Sequence, residues 1–319
     1  MPPHDPEQED GPPYQRLCRP LPEGPAERNG SDGDGDWQLR PAVARVTDYL
    51  MGGTDNYEVD REFAEQLLAV APPLRAMVQI SGEFRPRAVA VLAHDLRIAQ
   101  FIELGCGLPS IGLPSPPQTS KSRFPWPAHT YDVARAFHDK PRVVYVDNDP
   151  LVAAHASVVL AEEPGTRHLH ADARDVTDVL ASDACRVFDY DRPVAVLAHD
   201  LLPWMNDTEA AETMHALREQ LPAGSTISVT HATTDVAPGM MAALVARYAD
   251  AGILYRPRTL HQIQALLGSW TVLSPGILPT GLWRRDQNLP PSINPSWEKN
   301  HRLPPGDYSH AYAAVITAP

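Results

Sequence analysis

Apolar positions along this chain recur with two different spacings, and the switches between them outline a layered α/β domain. After Pro41, a residue suited to a first helical turn, Val43, Val46, Tyr49 and Leu50 share one helical face. Met51 to Asn56 breaks that pattern, and a second helix is predicted from Glu58 to Val70, where Pro72 and Pro73 stop it. A third follows from Leu74 to His94. Short continuous apolar runs then replace the helical period. Phe101 to Leu104, entered from Ile98, is the first; Arg142 to Asp149, His168 to Asp172, Pro193 to Ala198 and Ser225 to Thr230 follow. Helical segments separate them, at Ala128 to Phe137, after Asp149-Pro150, at Thr208 to Gln220, near Met240 to Ala251 and at Thr259 to Leu267. Trp270 to Leu273 and Ala311 to Ile316 look like closing strands. Strands alternating with helices imply a parallel sheet with right-handed crossovers.

The ends of the first three strands carry the candidate chemistry. Phe-Ile-Glu-Leu-Gly-Cys-Gly-Leu-Pro at 101–109 runs from buried strand into a tight turn with two glycines one residue apart. Glycine accepts positive φ there, and its missing Cβ lets a ligand lie on bare backbone. The second strand ends in Asp147-Asn148-Asp149 and the third in Asp172. Three successive strand ends finishing in Gly or Asp describe a nucleoside-binding edge. A dinucleotide site is disfavoured, since a diphosphate cradle wants a third glycine, and Pro109 and Ser110 stand there instead.

Composition narrows the classes. With 319 residues and 43% hydrophobic content, one large domain with extensions is expected. No apolar run approaches the roughly 18 residues of a membrane helix, and the start lacks signal-peptide regions, so a cytoplasmic protein with no membrane partner is expected. The net charge of −13 repels phosphate backbones; a small molecule rather than nucleic acid is the default partner. Three cysteines without Cys-x-x-Cys spacing and thirteen histidines without a ligating pattern give no metal site. Residues 1–38 read as an acidic, Pro- and Gly-rich disordered tail, whose Asp32, Asp34 and Asp36 lack the glycine and closing Glu of a calcium loop. Residues 39–319 form a single domain. Within it 39–97 is a helical cap, 110–127 is an inserted loop with five prolines, and 286–305 is a Pro- and Asn-rich loop.

Arg-Val-Thr-Asp-Tyr-Leu-Met-Gly-Gly-Thr-Asp-Asn-Tyr-Glu-Val-Asp-Arg at 45–61 closely resembles the N-terminal signature of a bacterial family of S-adenosylmethionine (SAM)-dependent methyltransferases once catalogued as a domain of unknown function. Segments 100–110, 143–150, 171–175, 193–198, 225–233 and 275–284 resemble it in the same order, so the similarity spans roughly 40–317. The resemblance implies a Rossmann-like methyltransferase fold, mostly parallel and seven-stranded, its last strand antiparallel, with helices on both faces. It also implies SAM as cofactor. Glu103, Gly105 and Gly107, with Cys106 between them, would hold the methionine end. Asp147, beside Asn148, would accept the ribose hydroxyls, and Asp172, beside Ala173, would meet the adenine amino group. The chain departs from the family in its 110–127 insertion and in His199-Asp-Leu-Leu-Pro-Trp204, both beside the expected pocket.

Each candidate has a plainer reading. Asp147 could cap the next helix, although Asp149 before Pro150 fits that role better. Asp172 could belong to a solvated turn. Asp55, Asn56 and Tyr57 could form a helix–helix turn or a lid over the cofactor or substrate. His199 and Asp200, where the fourth strand opens, are candidates for substrate contact, with His199 a general base or a hydrogen-bonded strand end. His231 after the fifth strand is a further catalytic candidate, and Trp204 a pocket wall or core residue. The favoured reading is methyl transfer to an O, N or C nucleophile of a small molecule. The alternatives are a non-methyl reaction of SAM, and a silent SAM-binding protein in which the inserted loop docks a partner.

Overall fold

A computed structural model describes residues 37–109, 129–159, 163–284 and 309–319. The acidic tail through Asp36, the 110–127 insertion and the 286–305 loop lie outside the described residues. Three helices come first: α1 (Val43–Met51), α2 (Glu58–Val70) and α3 (Leu74–His94). The sheet strands are β1 (Gln100–Leu104), β2 (Arg142–Asp147), β3 (Thr166–His170), β4 (Ala195–His199) and β5 (Thr226–Ala232). They alternate with α4 (Thr130–Arg135), α5 (Pro150–Val159), α6 (Val176–Ala181) and α7 (Asp207–Gln220). Then come α8 (Pro238–Asp250), α9 (Leu260–Leu267), β6 (Thr271–Val272), β7 (Leu278–Pro279) and β8 (Ala311–Thr317).

The strand order is β3-β2-β1-β4-β5-β8-β6, with β7 also beside β8. Neighbours from β3 through β5 run parallel, whereas β8 is antiparallel to both β5 and β6. Eight hydrogen-bonded segments fill seven positions. β6 pairs the Ile316–Thr317 end of β8 and β7 pairs its Tyr312–Ala313 end, so the two are halves of one interrupted edge strand. This is the expected fold, including its antiparallel last strand. The third strand ends two residues earlier than its apolar pattern suggests, at His170, leaving Asp172 in the following turn.

Strands β1, β2 and β4 are buried almost throughout because α/β crossovers cover both faces. One face packs Ile102, Val144 and Val196 against Met214, Leu217 and Leu266 of α7 and α9. The other packs Phe101, Val143 and Leu197 against Phe84, Ala88 and Leu92 of α3. A third cluster joins α1, α2 and the start of α3 to Met241, Leu244 and Tyr248 of α8. The expected cap therefore holds only the first part of α3, through Leu74 and Met77. From Phe84 onward the same helix is a sheet-covering layer.

The 45–61 signature folds this cap. Asp60 is fully buried; its Oδ2 accepts from Arg45 Nε at 2.7 Å and from the Tyr57 amide at 2.9 Å, and its Oδ1 from the Ala42 amide at 3.0 Å. Asp48 Oδ2 accepts from the Asp55 amide at 2.9 Å and from Asn56 Nδ2 at 2.8 Å. Gly53 has to lack a side chain, because a Cβ there would stand 2.0 Å from Asp48 Oδ1. Asp60→Ala removes the buried counter-charge of Arg45 and the acceptor of two amides, so unfolding stability should fall by about 3 kcal/mol or more. The urea midpoint reads this, and an unchanged midpoint would refute the buried-pair account.

Candidate active site

The strand order reverses between β1 and β4, and in open α/β sheets that point opens a crevice at the carboxyl ends of the strands. The turn after β1 lines it. Gly105 (φ 65°) and Gly107 (φ 67°) occupy the left-handed region, which strains any side chain. The amides of Gly105 and Cys106 both donate to the Val146 carbonyl, at 2.8 and 3.1 Å, locking the turn onto β2. A Cβ on Gly105 would come within 2.9 Å of Leu201 Cδ1, just past β4, so the two strand ends meet there. A Cβ on Gly107 would meet no atom of the described residues within 4 Å. The floor the two glycines make is bare backbone.

Asp147 ends β2 beside this turn. Its Oδ2 accepts from the Gly107 amide at 2.9 Å and its Oδ1 from the Asp149 amide at 3.0 Å. Burial raises its pKa, backbone hydrogen bonds from Asp149, Gly107 and Asn148 partly offset that, and not all of the carboxylate's acceptor sites are taken. Asp149 Oδ1 takes the Leu151 amide at 2.8 Å, so helix capping falls to Asp149 and Asp147 is left facing the crevice. Cys106 is half-buried, and burial together with Asp147 pushes its thiol well up, leaving it an uncharged wall. Asp172 is engaged with its own turn. Arg174 Nη2 donates to its Oδ2 at 2.6 Å and Nε to its Oδ1 at 3.0 Å, lowering its pKa, and Asn148 adds a side-chain hydrogen bond. Ala173 is buried in the core.

Glu103 lies deeper than its expected cofactor role suggests. Its side chain is 5% exposed; Oε1 accepts from Arg85 Nη1 at 2.6 Å and Oε2 from the Thr130 hydroxyl at 2.6 Å. Both oxygens are engaged by α3 and α4. Asp55 Oδ2 stands 3.7 Å from His155 Nδ1, so the 52–57 loop meets the helix that springs from β2. Arg61 Nη1 donates to the Asn56 carbonyl at 3.0 Å, and Tyr57 begins α2 under the Arg45 guanidinium, 5.1 Å from its ring centre.

The opposite wall follows β4. His199 pairs its Nε2 with Ser228 Oγ at 2.8 Å and sets its ring edge-on to Phe84 at 5.0 Å. Burial and the Arg85 charge push its pKa down to about 3, so the ring is neutral and weakly basic at operating pH. The expectation of a base titrating near neutrality does not carry over to it. Asp200 does titrate there. Its φ of 53° is strained for a non-glycine residue, and the backbone is held by its amide donating to the Thr230 carbonyl at 3.1 Å and to Thr230 Oγ1 at 2.8 Å. The half-buried carboxylate has no hydrogen-bond partner among the described residues, and burial raises its pKa to about 7. Its charge also helps to raise the pKa values of Tyr248 and Tyr255. These two rings and Trp204 pack together with centroids 4.7 to 5.2 Å apart.

His231 is corrected to a structural role. It is fully buried, its Nδ1 donates to the Ala232 carbonyl at 2.8 Å, and its Nε2 accepts from Arg258 Nη1 at 2.9 Å. Arg258 also donates to the Leu202 and Met205 carbonyls, each at 2.9 Å, so it pins the turn that carries Trp204. Sequence reasoning missed Arg85, Thr130, Tyr248, Tyr255 and Arg258. One signal for Arg85 was available: Pro86 inside a helix removes an amide donor and marks a local departure.

A nucleoside with an amino-acid tail fits these residues. Asp147 offers acceptors for hydroxyls, the glycine turn offers a bare floor, and Arg85 Nε and His199 Nδ1 are buried nitrogens without partners among the described residues. The doubly wound sheet with its antiparallel last strand, and this crevice, define a Rossmann-like methyltransferase fold. The chain belongs to the S-adenosyl methyltransferase family, whose model matches residues 36–303, and it is a SAM-dependent methyltransferase. It is 28% identical to a protein from Thermobifida fusca YX assigned as a methyltransferase, over 89% of this chain and 96% of that one, with a TM-score of 0.72. It is 26% identical to a DUF574 family protein from Streptomyces avermitilis MA-4680, over 88% and 99%, with a TM-score of 0.75. No functionally curated protein matches it. Among the described residues no helix is long and apolar enough to cross a membrane, and no acidic, His or Cys cluster could hold a metal.

Proposed function

We propose that this enzyme methylates an oxygen or nitrogen nucleophile of a small molecule, and that Asp200 takes the proton the nucleophile releases. Asp200 carries the reading: a carboxylate with no hydrogen-bond partner among the described residues, on strained backbone at the mouth of β4, with a pKa raised to about 7. A general base works best when its pKa lies near the working pH. The bound cofactor supplies the methyl group from its sulfonium, and the chain supplies alignment and proton removal.

Asp147 would fix the ribose hydroxyls, the Gly105–Gly107 turn would seat the tail, and Asp172 would border the adenine. Trp204, Tyr248 and Tyr255 would form the acceptor wall, with Phe63 of α2 packed on Tyr248 at 5.6 Å. An acceptor held there would stand between the cap cluster and the strand ends. The Asp55–Tyr57 loop would close the cofactor side. The overall charge of −13 disfavours a nucleic-acid acceptor.

Incubating the enzyme with methyl-tritiated SAM and fractionated cell extract tests this. Label should enter the low-molecular-weight fraction. Label confined to protein or nucleic acid would overturn the small-molecule reading, and label in no fraction would overturn methyl transfer to a metabolite.

A further inference from the structure

Arg85 lies in the stretch of α3 where that helix passes from the cap cluster to the sheet face. Its guanidinium is held by Glu103, two residues before Gly105, and so sits under the turn that floors the crevice. Its neighbourhood draws on several elements. Beside Glu103, its charge reaches Cys106 in the glycine turn, Tyr145 on β2, His129 before α4 and His199 on β4.

The donors on this side chain exceed the acceptors around it. A guanidinium carries five N–H groups. Nη1 donates to Glu103 Oε1, while the other Glu103 oxygen is taken by Thr130. Nε is buried with no partner, and Nη2 makes no hydrogen bond among the described residues, although the side chain remains 18% exposed. His199, whose pKa the Arg85 charge helps to lower, also has a buried ring nitrogen, Nδ1, without a partner among the described residues. Buried donors are nearly always paired, so the unpaired Arg85 Nε marks a place where an acceptor belongs. A planar fork with free N–H groups suits a carboxylate above other acceptors.

We infer that Arg85 binds the α-carboxylate at the methionyl end of SAM. The motif acid Glu103 then acts one step back, orienting Arg85 together with Thr130 instead of touching the cofactor. This rests on SAM being the cofactor and is independent of the acceptor and of Asp200.

Calorimetric titration separates the contributions of the ligand's parts. The probes are S-adenosylhomocysteine (SAH), its decarboxylated analogue S-adenosyl-3-thiopropylamine, which keeps the amine, and 5′-methylthioadenosine, which lacks the whole tail. Wild-type enzyme should prefer SAH to the decarboxylated analogue by about 10- to 100-fold, the range for a hydrogen bond to a charged group. Arg85→Met should remove that preference while changing methylthioadenosine binding less than about twofold, and Arg85→Lys should fall between. Because Arg85→Met strands a buried Glu103, the double variant R85M/E103Q serves if the single one fails to fold. A wild-type enzyme indifferent to the carboxylate would overturn the inference on its own, whatever the variants do. So would a variant that retains the preference, or one that loses affinity for all three ligands equally.

Discussion

Asp200→Asn should lower kcat by about 10²- to 10⁴-fold, the usual contribution of a positioned general base, and leave SAH affinity unchanged. The amide keeps the size and polarity of the side chain but cannot accept the departing proton. With the native carboxylate near pKa 7, methyl transfer should rise with pH through about 7 and level off above it, and the variant should lose that limb. Stability should move the other way. Folding raises the Asp200 pKa from 3.8, so the native state binds a proton that the unfolded chain has released, and stability falls as pH climbs from about 4 to about 7. At pH 8 the asparagine variant escapes this cost. It should be more stable than wild type by on the order of 2 kcal/mol, after discounting for solvent at the half-buried carboxylate, and should show no gain near pH 4. Pairing a pH–rate profile with denaturation at the two pH values checks both halves. A variant of full activity would remove Asp200 from the chemistry.

The second large effect belongs to Asp147. Its carboxylate braces Gly107 and Asp149 and faces the crevice with acceptor capacity left over. Asp147→Ala removes two charged acceptors for hydroxyls and releases the glycine turn, so SAH affinity should drop about 100-fold or more. Asp172→Ala should cost far less, because Asp172 is already paired with Arg174 in an exposed turn. Measured by titration, comparable losses at the two positions would show that the ribose and adenine roles are misassigned.

Much of the sheet was legible because buried parallel strands are short apolar runs, and these runs end in the Gly and Asp residues that border the crevice. Asp147 and Asp149 could be told apart from sequence, since Pro150 makes its predecessor the natural cap. Other residues were not legible. Glu103 lies on the strand as expected, but its partners come from Arg85 and Thr130, 18 and 27 residues away, and no local period encodes them. His199 and His231 look alike in sequence, each at a strand end. Burial and the guanidinium of Arg258 make one a brace, while burial and Arg85 deprive the other of basicity. Much of the family signature at 45–61 encodes the folding of the cap, through Arg45, Asp48, Gly53 and Asp60.

Helix α3 has one end among the cap helices and the other flat on the sheet, with no break between them. A rod shared by roof and floor prevents the roof from swinging away as a rigid flap.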